Sequence, residues 1–346
     1  MIVKDGKVIA EGAHVCCGKD HAERAALKKA GDAARGADIY VTLEPCCHYG
    51  RTPPCTDALI EAGIRRVVIL NRDPNPIACD GASQLQAAGI EVDFECDIPL
   101  AIEALRMNAP FFKYATESLP FITAKWAVSA DGVMSVPGKS IWLTGDAARK
   151  DSHKLRSSVD AILVGVGTVL IDDPLLDTRM TGGKHAPVKV VLDSRLKTPP
   201  GAKLLTGGKT IIMHAPDAPK QNMAPLTDRS AELVEIPSTD KGLAVDTASR
   251  RLAEMGLIHI LLEAGPRLQS AFMDAGLVDE IVVYRAPVLL GAGLSPLAHM
   301  KAEPPKLKHL LTKHLANDTK DVYAVNPLPH AKLLYRWEER VLCSLE

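Results

Sequence analysis

Near the start of the chain, residue types that bind soft divalent metals occur at a telling spacing. His21 is followed two positions later by Glu23, and further on comes the run Thr42-Leu43-Glu44-Pro45-Cys46-Cys47-His48-Tyr49-Gly50-Arg51-Thr52-Pro53-Pro54-Cys55. A catalytic zinc takes three protein ligands and keeps a fourth position for water. His21, Cys46 and Cys55 supply one nitrogen and two thiolates. Glu23 is too near His21 in sequence to be a comfortable fourth ligand. It is well placed to take a proton from a metal-bound water and return it to a leaving amine. Zinc lowers the pKa of such a water toward about 7. This is the chemistry of hydrolytic deamination, in which water attacks a ring carbon bearing an exocyclic amine and ammonia leaves.

Each part of this pattern has a plainer reading. His-x-Glu occurs by chance, and cysteines alone are core residues or ligands of a structural zinc. The combination, with the cysteine run following a strand, favours the catalytic reading. Cys47 could replace Cys46 as ligand, but the position directly after proline favours Cys46. Cys16, Cys17, Cys79, Cys96 and Cys343 read as structural. Eight cysteines are an even number, yet Cys16-Cys17 and Cys46-Cys47 are neighbours, which argues against a disulfide framework. A chain of 346 residues has core enough without such staples.

The elements that must position these residues follow from periodicity. Short β-branched runs at 39–43, 67–70 and 90–94 predict strands, and 21–30, 54–62, 82–88 and 98–107 read as helices. Gly31, Gly63 and Gly89 sit where a left-handed residue ends a helix. His21 would then start one helix, and Cys46 and Cys55 would lie on a loop and helix start after a strand, so both segments can point at one spot. A polar stretch ending in Pro120 breaks the pattern. Beyond it, strands are expected at 121–128, 161–166, 188–192, 210–213, 258–262 and 280–284, with loops at 181–187, 198–208 and 215–225. The length suggests two domains, and the absence of a repeat between the halves makes them different α/β domains.

Composition narrows the partners. Lys and Arg total 41 against 42 Asp and Glu, a formal charge of −1, so no global field would draw in nucleic acid or an anionic membrane. No apolar run approaches a membrane span, and the N-terminal MIVKDGKVIA has no signal-peptide core. The expected location is the cytoplasm.

The second half offers two strand-to-glycine junctions. One is Val164-Gly165-Val166-Gly167-Thr168, a weak dinucleotide fingerprint because Leu170 stands where a third glycine is due. The other is Glu263-Ala264-Gly265-Pro266, before a helical stretch at 267–275, where backbone amides suit a pyrophosphate and proline suits the first turn. Arg156 and Arg179 offer bidentate forks for a phosphate monoester. Ser194 with Arg195, after a strand, could read an adenosine 2′-phosphate.

The block from His21 to Cys55 resembles the deaminase half of the bifunctional riboflavin-biosynthesis deaminase-reductases, with their H-A-E and T-L-E-P-C-x-H-x-G-R-T-P-P-C. Lys125-Trp126-Ala127-Val128-Ser129-Ala130-Asp131-Gly132, Ser140-Ile141-Trp142, Leu155-Arg156, Asp172-Asp173-Pro174-Leu175-Leu176 and Leu192-Asp193-Ser194 are similar, in that order, to the reductase half. The likeness runs from Met1 to about Val325. It implies an N-terminal cytidine-deaminase-like three-layer domain at 1–117 and a dihydrofolate-reductase-like domain at 118–346. It also implies His21, Cys46 and Cys55 as zinc ligands, Glu23 as proton shuttle, and His48 and Arg51 as contacts to a phosphorylated pyrimidine. NADPH would lie along Val128, Trp142, Thr168, Asp172, Ser194, Gly265, Pro266, Arg267 and Leu268. Ser140, Arg156, Leu176, Arg179 and Glu263 would face the ribose phosphate.

The implied activity is deamination of 2,5-diamino-6-ribosylamino-4(3H)-pyrimidinone 5′-phosphate, then NADPH-dependent reduction of the ribosyl group to ribityl. A homodimer through the reductase halves is the expected assembly. The chain departs from the family at two places. It starts inside the strand of Met1 to Gly6, so a family asparagine and helix before it are missing, and the loop after Asp73-Pro74-Asn75-Pro76 is short. Those departures make a reductase-only chain with an inactive, truncated deaminase domain the enzymatic alternative. A non-catalytic zinc-stapled nucleotide-binding scaffold is the alternative of another class. A nucleic-acid deaminase is a third, against which the neutral charge speaks.

Overall fold

Strand and helix alternate along the chain because β-branched runs bury both faces in a sheet while the intervening segments bury one stripe. The computed structural model describes residues 1–15, 18–50, 52–75, 80–94, 98–136, 141–181, 186–240 and 242–325. It divides into two units, Met1–Thr116 and Glu117–Glu346.

In the first unit, β1 (Ile2–Lys4) and β2 (Lys7–Ala10) form a hairpin whose turn residues Asp5 and Gly6 have φ of 51° and 73°. A tight hairpin of this kind requires positive φ at both central residues. The remaining elements are α1 (Ala22–Ala30), β3 (Asp38–Val41), α2 (Cys55–Glu61), β4 (Arg66–Ile69), α3 (Gly81–Ala87), β5 (Glu91–Phe94), α4 (Ile98–Met107) and α5 (Ala109–Glu117). The sheet order is β2-β1-β3-β4-β5, with β3, β4 and β5 parallel. Parallel pairing puts the C-terminal ends of β3 and β4 side by side, and the segments carrying Cys46 and Asp73 leave from that edge. Ile39, Val67, Ile69, Leu59 and Leu85 fill the core.

The second unit contains β6 (Phe121–Val128), α6 (Asp146–Arg156), β7 (Ala161–Gly165), α7 (Val166–Asp172), β8 (Val188–Leu192), β9 (Thr210–His214), α8 (Met223–Thr227) and β10 (Ala231–Glu235). These are followed by β11 (Ser238–Thr239), β12 (Gly242–Leu243), α9 (Val245–Glu254), β13 (His259–Leu262), α10 (Pro266–Asp274), β14 (Glu280–Arg285), β15 (Lys308–Leu315) and β16 (Asp318–Ala324). Nine strands form one sheet, β10-β9-β8-β7-β13-β6-β14-β16-β15, parallel from β10 to β14 and closed by antiparallel β16 and β15. Ala161 and Leu163 point into one core and Ile162 and Val164 into the other, as expected for a central strand covered on both sides.

The expected strands form to within two residues at most ends. Gly31, Gly63 and Gly89 have φ of 53°, 68° and 85°. The stretches 198–208 and 215–225, expected as loops, hold the 3-10 turns Lys203–Leu205 and Lys220–Asn222 and the start of α8. Their glycines and prolines end these turns quickly without preventing them. Residues 326–346 lie outside the described residues.

One glycine fixes how the metal-bearing helix seats. A Cβ on Gly12 would lie 2.0 Å from the Ala22 carbonyl oxygen and 2.6 Å from the Ala26 nitrogen, so the chain after β2 rests directly on the first turn of α1. Gly12→Ala should therefore cost about 1–3 kcal/mol or more through forced backbone movement. Thermal unfolding of the purified variant checks this, with a lowered midpoint expected.

Candidate functional sites

His21 is the N-cap residue of α1, in extended conformation, so its ring turns away from the helix toward the edge of the sheet. There its Nδ1 lies 3.5 Å from the Sγ of Cys46 and 3.3 Å from the Sγ of Cys55. The two thiols converge because the Cys46 carbonyl accepts hydrogen bonds from the Cys55 and Thr56 amides, at 3.0 and 3.2 Å. That oxygen caps the start of α2 and closes the loop of intervening residues into a compact lobe. A tetrahedral zinc with bonds of about 2.3 Å to sulfur and 2.0–2.1 Å to nitrogen sets N···S separations of roughly 3.6 Å. The three ligand atoms lie within 4.8 Å of one another, and the set fits zinc.

Electrostatics agree. The Cys46 thiol is lowered to about 4 by its hydrogen bond with Cys55 and by His21, whereas Cys55 is pushed up by the same hydrogen bond and by burial. His21 is raised by its bond to Cys46. A divalent cation between the two cysteines is what would let both sulfurs ionise. Burial raises the Glu23 carboxyl, which also hydrogen-bonds with Cys55. A carboxyl that holds its proton more readily suits a group that must carry one between steps.

Glu44, quoted in the motif but given no role from sequence, proves to be the brace behind this centre. It is 3% exposed, and its carboxylate accepts from the Ala82 amide at 2.9 Å and the Asp73 amide at 3.3 Å. A Cβ on Gly81 would lie 1.9 Å from the Pro45 carbonyl oxygen, so α3 packs onto the ligand loop at backbone distance. His14, His21, Cys46, His48 and Thr52 line a cavity of about 200 Å³. The His14 and His21 rings meet edge to face at 5.2 Å, and Thr52 Oγ1 lies 3.4 Å from His21 Nε2. His14, which lies outside the motif, also belongs to this cavity. Arg51 and Cys79 fall outside the described residues.

In the second unit, the strand order brings most of the expected cofactor residues to one edge. Val128 ends β6, Gly265 caps α10 after β13, Thr168 lies in the first turn of α7 after β7, and Ser194 follows β8. These four strands are adjacent and parallel, so the residues share the carboxyl edge where open α/β sheets bind ligands. Pro266 occupies the first turn of α10, and the Leu268 side chain lies 3.5 Å from where a Cβ on Gly165 would sit, coupling the two glycine junctions. Gln269, missed from sequence, is buried and donates to the carbonyls of Leu262 and Lys125. Trp142 is 77% exposed with the Arg149 guanidinium 5.2 Å from its ring, and Asp172 and Arg267 are exposed. Arg195 pairs with Asp217. Ser140 lies outside the described residues.

The residues expected to face substrate separate into two kinds. Arg156 and Glu263 form a bidentate pair, Nε to Oε1 at 2.8 Å and Nη2 to Oε2 at 2.7 Å, and Arg156 Nη1 reaches the Asp177 carbonyl at 3.4 Å. The fork read from sequence as free for phosphate is thus turned onto Glu263, which leaves Arg156 its remaining N–H groups. Lys125 Nζ lies 3.9 Å from the same carboxylate. Burial alone would raise Glu263, but Arg156 and Lys125 outweigh it and hold the carboxyl at about 2. Arg179 is exposed and pairs with Asp177, while the Leu176 side chain is 2% exposed and packs in the core.

Comparison with known proteins gives a consistent picture. Residues 1–71 match the family model of the cytidine and deoxycytidylate deaminase zinc-binding region, and residues 120–322 match that of the RibD C-terminal domain. The riboflavin biosynthesis protein RibD of Aquifex aeolicus is 41% identical over 298 residues, 85% of this chain and 82% of that protein. RibD of Escherichia coli is 38% identical over 338 residues, 92% and 90% of the two. Among solved structures, Acinetobacter baumannii RibD has a TM-score of 0.82 at 35% identity, covering 94% of this chain and 91% of that one. A diaminohydroxyphosphoribosylaminopyrimidine deaminase/5-amino-6-(5-phosphoribosylamino)uracil reductase from Thermotoga maritima has a TM-score of 0.80 at 33% identity, covering 94% and 90%.

The Glu263 cluster carries a stability prediction. Glu263→Gln leaves two buried cations without their counter-charge and should cost about 3–5 kcal/mol near neutral pH. The carboxyl falls from 4.5 to about 2 on folding, so its stabilisation is complete above pH 4.5 and fades as pH drops toward 2. Denaturant unfolding of wild type and variant should therefore differ most at neutral pH and converge in acid.

Proposed function

Because the chain belongs to the RibD family of riboflavin-biosynthesis proteins, we propose that its units carry out successive steps on one phosphorylated pyrimidine. It is a bifunctional enzyme, a deaminase and a reductase. We assign the deaminase to residues 1–117 and the reductase to 118–346. The substrate would be 2,5-diamino-6-ribosylamino-4(3H)-pyrimidinone 5′-phosphate.

In the deaminase, His21, Cys46 and Cys55 would hold zinc. When bound, that ion supplies the Lewis acidity that makes water nucleophilic at neutral pH. Glu23 takes the proton from the attacking water and passes it to the departing amine, so that water and the C2 amine become a carbonyl and ammonia. His14, His48 and Thr52 shape the cavity wall against the pyrimidine, and Arg51 supplies a charge in the same loop. The observation that carries this reading is a single imidazole nitrogen within 3.5 Å of two sulfurs, with the half-buried Glu23 carboxyl beside them.

In the reductase, NADPH would lie across the carboxyl edge of the sheet along Val128, Trp142, Thr168, Asp172, Ser194 and Gly265 to Leu268. When bound, it supplies the hydrogen and electron pair that reduce the opened ribose C1′. At the start of α10, where Pro266 has no N–H and the Leu268 and Gln269 amides donate to the Gly265 carbonyl, the Arg267 amide would be the one to meet the cofactor's pyrophosphate. Glu263, kept ionised by Arg156 and Lys125, accepts hydrogen bonds from ribose hydroxyls, and Arg179 and Ser140 serve the phosphate. A homodimer through the reductase halves and a cytoplasmic location complete the reading. The cytoplasm would keep the ligand thiols reduced, and no helix among the described residues is long and apolar enough to cross a membrane.

A reductase-only chain and a non-catalytic scaffold are not favoured, since the zinc-binding region matches and its ligand atoms converge. Glu23→Gln separates all three readings. Ammonia release should fall by about 10²–10⁴, with zinc content unchanged and NADPH oxidation on already deaminated substrate intact. Unchanged ammonia release would contradict the role of Glu23, and a wild type that releases none would favour the reductase-only chain.

A further inference from the structure

Behind Glu263 lies a second layer of charge that the reaction does not itself require. Tyr284 on β14 is 1% exposed, and two ammonium groups approach its ring: Lys125 Nζ at 5.6 Å from the centroid and Lys320 Nζ at 5.7 Å. Both lie within the range at which a cation is drawn to an aromatic face. The phenol hydroxyl donates to Asp151 Oδ2 at 2.9 Å, and that carboxylate also accepts from Lys320 at 2.9 Å and Lys313 at 3.2 Å. Asp151 sits on α6, the helix that ends in Arg156. The β15–β16 hairpin grips this helix twice, through the two lysines and through Asp318, which accepts from the Gly145 amide at 2.8 Å.

We propose that Tyr284 is a positioning residue of the reductase half: its ring face holds the Lys125 ammonium against Glu263, and Asp151, backed by Lys320, holds the ring. The inference rests on the assignment of Glu263 to the substrate side of that half. Lys125 has few other means of staying charged. Burial lowers it, Glu263 raises it, and Arg156 lowers it again. The groups that face it are Glu263 at the end of β13, Arg156 on α6 and the Tyr284 ring on β14, with Asp151, Lys313 and Lys320 one contact further out. Burial and Asp151 push the Tyr284 phenol up, so it donates a hydrogen bond rather than titrating. The ring is therefore a lasting source of negative potential beside Lys125, and Asp151 offsets the charge of Lys320 across it.

The test measures NADPH oxidation on deaminated substrate across neutral and alkaline pH, with the circular dichroism and thermal unfolding of the same full-length chain as a control for folding of the second unit. Tyr284→Leu should lower kcat about tenfold and move the alkaline limb of the kcat profile down by about one pH unit, the span of a desolvated cation–π contact. Tyr284→Phe, which keeps the ring, should leave the limb near its wild-type position. Asp151→Asn should move the limb down as well, because Lys320 is then less compensated. If Tyr284→Leu fails to fold, Asp151→Asn decides alone. Lowered activity with an unmoved limb in the folded variants would reduce Tyr284 to a packing residue and overturn the proposal. A wild-type chain that consumes no NADPH would refute the reductase assignment itself, and the inference with it.

Discussion

A single carbonyl oxygen organises the first active centre. Cys46 and Cys55 are separated by eight residues, a loop long enough to scatter its ends in many ways. The Cys46 carbonyl removes that freedom by accepting the amides of Cys55 and Thr56. The first thiol is thereby fixed to the helix that begins with the second. Everything else brings His21 to the same place. The parallel strands β3 and β4 deliver their loops to one edge, Glu44 ties those loops to α3, and α1 is seated by the close approach of Gly12. The loop can then carry polar residues without loosening the pair of thiols.

The second unit solves a different problem, the burial of charge at a sheet edge. Arg156, Lys125 and Glu263 neutralise one another only in part, and the positive surplus continues through Tyr284 and Asp151 to the lysines of the terminal hairpin. Buried ions are costly unless well paired, and the bidentate geometry at Glu263 shows how that cost is offset. The antiparallel β15 and β16 thus do more than extend the sheet. They brace the helix whose last residue, Arg156, pairs with Glu263.

Much of this was legible in the sequence, and what was not has identifiable causes. Strands such as Val188–Leu192 and Phe121–Val128 are largely apolar runs, each interrupted by one lysine, whose ends the pattern marks without structural help. The convergence of His21, Cys46 and Cys55 was legible because the proline-cysteine run follows a strand at the distance needed to meet His21. β15 was not, because Lys308, His309, Thr312, Lys313 and His314 lie on an exposed edge strand and leave no hydrophobic alternation to read. Glu44, Gln269 and Lys125 escaped notice for a related reason: a polar residue whose partners are distant backbone groups or distant charges has no local signal. Leu176 was named for its place in a motif, and its side chain packs in the core, which leaves only its backbone to face a ligand. The pairing of Arg156 with Glu263 links residues too far apart in sequence for spacing to suggest it.

The fold brings one nitrogen and two sulfurs together, and the proposed deaminase chemistry requires them to share an ion. X-ray absorption at the zinc edge of the purified protein tests that most directly. The expected spectrum has two sulfur neighbours at about 2.3 Å and light-atom neighbours at about 2.0–2.1 Å, including imidazole scattering. A zinc shell with no sulfur, or with four, would contradict the site and the chemistry derived from it.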